Sequence, residues 1–216
     1  LIISVISNLD KKIYQKELIL KESSREPNLE KLDQFLNENI FQIEKKLKNF
    51  VKNTSIILDL NVFFPVEISI KKNNYGNFFN IKNLNHLLYE AKDCCKKTID
   101  KQRIVHMVIN NYQFDNKSYS YLPDNIKCNS YSLDIKFHCI PIELVENLEK
   151  VLKKYQISLS QVVNSQYVRN FLSNKQNDLF LMTKKVISGH NPNEVLFVDK
   201  IPKNKGFFEK FFNLFN

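Results

Sequence analysis

Glycine is scarce in this chain of 216 residues, which has only Gly76, Gly189 and Gly206. A loop that cradles nucleotide phosphates with backbone N–H groups needs glycines where the chain approaches the phosphates closely. None of the three glycines lies in a stretch of that kind. The sequence therefore argues against ATP binding, and we expect no enzyme activity of the phosphate-loop type.

Cysteine is also used sparingly, and no C-x-x-C spacing occurs among Cys94, Cys95, Cys128 and Cys139. Neither a zinc site nor a disulfide framework is indicated, so we expect reduced thiols, no metal and no cofactor. No apolar run approaches the roughly 18 residues that span a bilayer, and no signal peptide opens the chain. Leu1 enters a strand-like run at once, so we expect the natural N-terminus to lie further upstream.

Positive charge is in excess, with 32 Lys and Arg against 23 Asp and Glu and a net charge of +9. Such a balance suits a nucleic-acid partner or an anionic membrane. The lysines are scattered rather than gathered in one tract, which is typical of solvated faces. A mixture of lysines with Tyr112, Tyr119, Tyr121 and Tyr131 could stack nucleic-acid bases, but no RNA-binding motif accompanies it.

Apolar periodicity predicts an α+β fold, a small sheet covered on one face by helices. The predicted strands are residues 1–20 (two, with a turn at 8–12), 54–70, 103–115, 130–140 and 157–168. The predicted helices are about 23 residues from Leu29 after an Asn28 cap, one from an Asn80 or Asn83 cap to about Lys97, one opened by Pro141, and 179–187. Pro65 indicates an edge strand or a break, residues 73–76 a turn, and 194–198 a short strand.

Isolated polar residues on these elements suggest little chemistry. His106 and His138 lie on predicted strands, and no third ligand or base has a fitting spacing, so a core or sheet-surface role is favoured over a metal or nucleophile site. Asp59, Asp115 and Asp134 have no paired carboxylate along the chain, which favours turn or surface positions.

Two segments carry a resemblance to a known family, RIVHMVINNYQFD and SYSLDIKFHCIPIELVENLEKVLKKYQISLSQVV. They resemble the inserted SHS2 (1C) subdomain of the FtsA family, bacterial cell-division proteins of the actin and Hsp70-like superfamily, with His106 and His138 at the family's histidine positions. The helix IKNLNHLLYEAKDCC is similar to the family helix that precedes them. The resemblance implies a partial actin-like subdomain at 1–77, an SHS2-like subdomain at 78–168, and a remnant and linker at 169–202.

The last twelve residues, KGFFEKFFNLFN, stand where FtsA proteins carry an amphipathic membrane-targeting helix at about 203–216. On a helical wheel the apolar side chains share an arc of roughly 160°. The resemblance implies that they insert into an anionic membrane while Lys203, Lys205 and Lys210 face the headgroups. The inserting residues are Phe207, Phe208, Phe211, Phe212, Leu214 and Phe215. The alternative is a helix that folds back onto its own core.

The departures from the family concern its glycine-rich phosphate loops and its second actin-like half, which 170–200 is too short to hold. That half carries the surface for the tubulin-like FtsZ filament, so the FtsZ contact is in doubt, and we expect a truncated or reduced relative. The resemblance implies a non-catalytic tether and assembly module at the cytoplasmic face of the inner membrane, at the division site, with division proteins and self-association as contacts and no nucleic acid. The alternative is a basic nucleic-acid-binding or ribosome-associated protein.

Overall fold

Five helices and eight strands are present in the residues that the computed structural model describes, which are 1–19, 26–172 and 178–196. The strands are β1 (Ile2–Ile6), β2 (Lys12–Glu17), β3 (Asn53–Leu58), β4 (Phe64–Phe78), β5 (Gln102–Phe114), β6 (Lys117–Tyr119), β7 (Lys127–Pro141) and β8 (Ser158–Asn164). The helices are α1 (Leu29–Leu47), α2 (Ile81–Thr98), α3 (Ile142–Lys153), α4 (Ser165–Leu172) and α5 (Leu179–Ile187). The predicted mixture of helices with small sheets is therefore confirmed.

Asparagine side chains begin the two longest helices, as the sequence predicts. Asn28 Oδ1 accepts a hydrogen bond from the N–H of Lys31 at 2.9 Å and caps α1. Asn80 Oδ1 accepts from the N–H groups of Lys82 and Asn83, so the cap of α2 is Asn80 and not Asn83. Each cap satisfies N–H groups that have no partner within the first helical turn.

The first helix is shorter than predicted. The apolar pattern runs to Val51, but α1 ends at Leu47 because Lys48 adopts a left-handed conformation with φ 55°. The N–H of Val51 instead donates to the side chain of Glu44 at 3.0 Å. The apolar spacing alone could not locate this end, since a left-handed lysine leaves no mark in a hydrophobic pattern.

An antiparallel sheet with strand order β4-β7-β5-β6 forms the centre of the molecule. Helix α2 covers one face with the five residues predicted for its inner side, all of them buried: Leu84, Leu87, Leu88, Ala91 and Cys95. They pack against the predicted inner face of β7, which includes Leu133, Ile135 and Phe137. Burial of these apolar side chains, worth about 1.5–3 kcal/mol each, fixes the helix on the sheet.

Strand β4 differs from the prediction at residues 73–76 and at the predicted domain boundary, and agrees with it at Pro65. The turn expected at residues 73–76 is instead an irregularity within β4, where Tyr75 (φ 51°) and Gly76 (φ 74°) interrupt the pairing with β7. Pro65 lies in this strand at the sheet's edge, as predicted. The predicted domain boundary between residues 77 and 78 falls inside β4, one residue before its end, so it would separate nearly all of the strand from the sheet to which it belongs.

A second, parallel pair joins β3 to β8, with helices on both of its faces. Ile56 and Val162 pack in clusters that include α1 or α3, whereas Ile57 and Val163 pack with α4 and α5. Alternate residues of a strand point to opposite faces, so two helical layers enclose the pair. Helix α5 buries Met182 and Val186 in this packing, so part of the predicted remnant at 169–202 belongs to the core.

The strand predicted at residues 157–168 ends at Asn164, and α4 begins there. Asn164 Oδ1 accepts hydrogen bonds from the N–H groups of Gln166 at 2.9 Å and Tyr167 at 3.4 Å. Asparagine is a strong helix-capping residue in this position. The sequence signal was therefore present, but the β-branched residues before it suggested a longer strand.

The β1–β2 hairpin forms where residues 1–20 predict two strands and a turn. Tyr14 Oη donates to Asn39 Oδ1 of α1 at 2.7 Å in a buried hydrogen bond. On the other side, Lys184 Nζ of α5 pairs with Asp10 at 2.6 Å. Among the described residues β1 pairs only with β2, and β3 pairs only with β8.

Candidate functional site

The predicted membrane-binding residues lie outside the described part of the chain. They are Lys203, Lys205, Phe207, Phe208, Lys210, Phe211, Phe212, Leu214 and Phe215. Within residues 1–19, 26–172 and 178–196, no helix combines the length and the apolar character needed to cross a bilayer. The described candidates for a site are therefore a buried polar network, an ion pair at the rim of a cavity, and one open face of the central sheet.

The buried network joins the central sheet to the α4–α5 layer. His106 Nδ1 of β5 lies 2.7 Å from Glu194 Oε1, and both side chains are almost wholly buried. Tyr167 Oη of α4 donates to the other oxygen of Glu194 at 2.8 Å. Asn191 Nδ2 donates in turn to Tyr167 Oη at 2.8 Å. Four side chains from three parts of the chain thus satisfy one another, as buried polar groups must.

The hydrogen bonds of His106 define its tautomer. The backbone N–H of Asn164 donates to Nε2 at 3.1 Å, so Nε2 is an acceptor and the ring proton of the neutral imidazole lies on Nδ1. That proton is donated to Glu194. A general base needs a ring nitrogen that can reach a substrate proton, and both nitrogens of His106 are engaged. A histidine and a glutamate can form a catalytic dyad, but here both ring nitrogens are used in hydrogen bonds that link the central sheet to other parts of the chain.

Burial is the main cause of the pKa shifts of two residues beside the His106–Glu194 pair. Burial, followed by the influence of His106, lowers the pKa of His138 to about 4. His138 is therefore neutral at pH 7, and its Nδ1 lies 3.2 Å from the side-chain nitrogen Nδ2 of Asn164. Burial and the nearby Glu194 carboxylate raise the pKa of Tyr167 far above its ordinary value. His138 and Tyr167 are therefore neutral rings close to the hydrogen-bonded carboxylate of Glu194.

Sequence reasoning favoured a core or sheet-surface role for His106 but missed Glu194, Tyr167 and Asn191. The two histidines lie near each other, with ring centres 5.8 Å apart. Glu194, however, is 88 residues from His106 and lies in a stretch with a weak pattern. Its backbone forms a single bridge to Val108, where a short strand was predicted at residues 194–198. Residues 197–198 of that stretch are outside the described part of the chain.

On the face of the central sheet opposite α2, the part beyond His106 and His138 is polar. Asp134 lies near its middle and accepts hydrogen bonds from Ser69 Oγ at 2.6 Å and Asn111 Nδ2 at 3.0 Å. Next to it, Lys136 pairs with Glu67 at 3.1 Å. Side chains of β4, β5 and β7 thus form a hydrogen-bonded polar surface.

The tyrosines considered for base stacking are mostly unable to stack. Tyr112 and Tyr131 are buried on the helix-facing side of the sheet, and only Tyr121 is largely exposed. Bases stack on exposed aromatic rings, usually on several in succession. The spacing of these tyrosines in the sequence therefore did not correspond to one exposed platform.

Asp59 is an exposed surface residue, as expected, and its partner is a cation rather than a second carboxylate. Arg169 of α4 forms a two-pronged ion pair with it, at 2.7 and 2.8 Å, and Ser165 Oγ donates to it at 2.6 Å. These hydrogen bonds, from Arg169 first and Ser165 next, lower the pKa of Asp59 to about 2. The other two carboxylates are bonded as turn and surface groups: Asp115 accepts from the N–H groups of Asn129 and Ser130.

No group of three His, Cys, Asp or Glu side chains in the described ranges is arranged to hold a metal ion. All four cysteines are free thiols, and only Cys94 is exposed. Burial, followed by the influence of Cys95, raises the pKa of Cys139 to about 12, so this thiol is protonated at neutral pH.

Comparison of the sequence with models of known protein families finds no match, and comparison with curated proteins finds none either.

Proposed function

We propose that this chain is an FtsA-like membrane tether and assembly module that acts without catalysis at the cytoplasmic face of the bacterial inner membrane during cell division. The observation that carries the proposal is the segregation of rings and charges in residues 205–216. Six apolar side chains share one face of the helix expected there, and lysine, glutamate and asparagine fill the other.

The order of elements supports the same proposal. The central sheet with α2 is an insertion between the parallel strands β3 and β8. An inserted antiparallel unit of this kind, interrupting a parallel pair, is what the resemblance to an SHS2 subdomain in an actin-like fold implies. We propose that the inserted sheet, through its open polar face around Asp134, contacts division proteins or a second copy of the chain.

Energy estimates indicate a reversible tether. Each partly buried ring contributes about 1–2 kcal/mol, and each lysine near an anionic surface about 1 kcal/mol. Ordering a helix of twelve residues, which is marginal alone in water, offsets several kcal/mol of this. A single tail therefore binds weakly, and an assembly that presents many tails binds strongly.

The proposed absence of ATP binding rests on where the glycines lie. Gly76 occupies the irregular position in β4, and Gly189 follows α5 with φ 78°, where a left-handed residue ends the helix. Neither position joins a strand to a helix in a loop that could hold phosphates. Calorimetric titration of the chain with Mg-ATP should give no heat of binding, and a micromolar dissociation constant would contradict this part of the proposal.

Vesicle co-sedimentation tests the tether directly. The full chain should pellet with anionic vesicles, and Phe211→Glu/Phe212→Glu should abolish pelleting because two charges enter the apolar arc. Lys205→Ala/Lys210→Ala should weaken binding by about 2 kcal/mol at low salt and by less at high salt. A double glutamate variant that still pellets would mean that the rings do not face the membrane.

The same variants separate this proposal from the alternative of a basic nucleic-acid-binding protein. Deleting residues 205–216 should abolish vesicle binding if the chain is a membrane tether. For a nucleic-acid-binding protein, the deletion should leave binding to a labelled RNA or DNA duplex intact. Steep salt dependence of that binding would favour the alternative.

A further inference from the structure

A cavity of about 660 Å³ lies between the β1–β2 hairpin and β3. Residues 1–5 and residues 54–59 both line it in unbroken succession. Successive side chains of a strand point to opposite faces, so a cavity beneath one face would be lined by every second residue. Unbroken lining on both sides means that the cavity faces the edges of β1 and β3. We call it the edge slot.

No described strand pairs with the backbone of either strand edge that borders the edge slot. In the described chain, β1 is paired only with β2 and β3 only with β8, so the other edge of each has no strand beside it. Buried N–H and C=O groups need partners, and a strand edge is a template for another strand. Ser4 Oγ is also buried without a hydrogen-bond partner among the described residues.

Helices close the edge slot above and below. Phe35 and Leu36 of α1 and Leu148 of α3 line one side, and Leu179 and Phe180 of α5 line the other. A strand covered by helices on both faces is apolar along its whole length rather than alternating. The walls therefore select an extended segment with apolar side chains on both faces.

The charged residues at the rim of the edge slot are already paired. Asp59 pairs with Arg169 at 2.7 Å, and Lys12 pairs with Asp178 at 2.5 Å. Among the described residues that line the edge slot, every charged side chain has a partner of opposite charge. Charge thus disfavours a charged occupant, and the backbone hydrogen bonds and apolar walls remain as the means of recognition.

The edge slot is held open by contacts on both sides of the hairpin. The Tyr14–Asn39 hydrogen bond ties the hairpin to α1, and the Lys184–Asp10 ion pair ties it to α5. The hairpin therefore keeps its position although its edge is not joined to β3. A site that is already formed loses less ordering entropy when it binds.

We propose that the edge slot binds an extended apolar peptide, which adds a β-strand between β1 and β3 and completes one sheet from β2 to β8. Main-chain hydrogen bonds to both edges supply affinity, and the helical walls supply selectivity for apolar side chains. This inference uses no residue of the proposed membrane helix and stands independently of the proposed function.

Fluorescence anisotropy with a labelled peptide tests the proposal. The probe is the peptide KVIVLIVK, apolar on both faces with terminal lysines for solubility, and the control is KVIPLIVK. Proline removes a backbone N–H and disfavours a central strand, so the control should bind the full chain at least about tenfold more weakly. Equal binding of the two peptides would overturn the proposal.

A matched pair of variants locates the binding. Ser4→Lys places a long charged side chain in the edge slot and should weaken binding about tenfold or more. Ser118→Lys, on exposed β6, makes the same change away from the slot and should bind as the unaltered chain does. Circular dichroism establishes that both variants are folded. Binding that is unaffected by Ser4→Lys in a folded protein would contradict the proposal.

Backbone hydrogen exchange gives a readout that survives if the Ser4 variant does not fold. In the free chain, the β3 amides that do not bond to β8 should exchange fast, and the peptide should protect them. If these amides are already protected without peptide, the edge is covered by the chain itself and the proposal is wrong. Loss of vesicle binding in tail variants should leave this result unchanged.

Discussion

Glu194 accepts a hydrogen bond from the Nδ1–H of His106 at 2.7 Å, although the two residues are 88 positions apart in the sequence. The second carboxylate oxygen is taken by Tyr167, so both oxygens of a buried carboxylate are satisfied. Beside this pair, the N–H of Val195 donates to the carbonyl of Met107 at 2.8 Å. The segment after α5 is thereby fastened to the central sheet, which joins the inserted unit to the α4–α5 layer.

Replacing His106 with alanine should lower the free energy of unfolding by about 1–3 kcal/mol, because one oxygen of the buried Glu194 carboxylate loses its hydrogen-bond donor. Urea unfolding followed by circular dichroism measures the change. His86→Ala is the control, since His86 is exposed on α2, and it should shift stability by less than about 0.5 kcal/mol. A similar small effect for both variants would show that the network does not stabilise the fold.

The carboxyl of Asp59 should titrate with a pKa of about 2. A carboxyl whose folded pKa is depressed contributes stability that is present above its unfolded pKa of about 3.9 and is lost as pH falls toward about 2. Both side chains of the Asp59–Arg169 pair are about half exposed, so solvent screening limits the effect to about 1 kcal/mol or less.

Carbon-13 NMR titration of the aspartate carboxyls measures this pKa. Arg169→Gln removes the charge of the partner, and the pKa of Asp59 in that variant should rise toward its ordinary value. Lys97→Gln is the matched control, because it removes a cation that is paired with the exposed Asp93 on helix α2 and not with Asp59. An Asp59 pKa that does not respond to Arg169→Gln would show that the ion pair is not formed in solution.

Of the four thiols, Cys94 alone should react rapidly with an aromatic disulfide reagent in the native protein. Cys95, Cys128 and Cys139 are buried, and burial raises the pKa of each, so their thiolate population is small. Cys94→Ser should remove the fast phase, and denaturant should expose the remaining thiols. Two or more fast thiols in the native chain would contradict the packing of α2 on the sheet.

A fragment that begins at residue 60 and ends at residue 142 should give dispersed amide signals in NMR spectra. It contains the whole central sheet, including β4, whose Val66, Ile68 and Ile70 pack on the core beneath α2. A fragment of residues 78–168, which follows the predicted boundary, lacks that strand and leaves the edge of β7 bare. It should therefore be less ordered or should aggregate.

Local signals explain why many elements could be predicted from the sequence. Asn28, Asn80 and Pro141 stand at helix starts, where side-chain capping or a fixed φ favours them. The inner face of α2 follows from apolar spacing alone. These features depend on residues within one or two turns of the chain, so a single sequence contains them in full.

Pairing over long distances explains the failures. Glu194 and Arg169 find their partners 88 and 110 residues away, and no local pattern marks either as buried or paired. The assignment of β4 to the central sheet depends on its register with β7, for example Phe64 opposite Cys139. Such choices are made by competition among strands in three dimensions, which periodicity does not describe.

The register of β4 and β7 also bears on the order of folding. Pairing β3 with β8 brings Asn53 beside Ser158 and closes a loop of more than a hundred residues, which is slow and entropically costly. Once the inserted sheet has formed, however, Phe64 lies beside Cys139, and the intervening chain no longer counts as open loop. The loop that remains to be closed then consists only of the few residues between β3 and β4 and the α3 segment between β7 and β8. We therefore expect the insertion to form before the parallel pair, and substitutions that destabilise the inserted sheet should slow the pairing of β3 with β8.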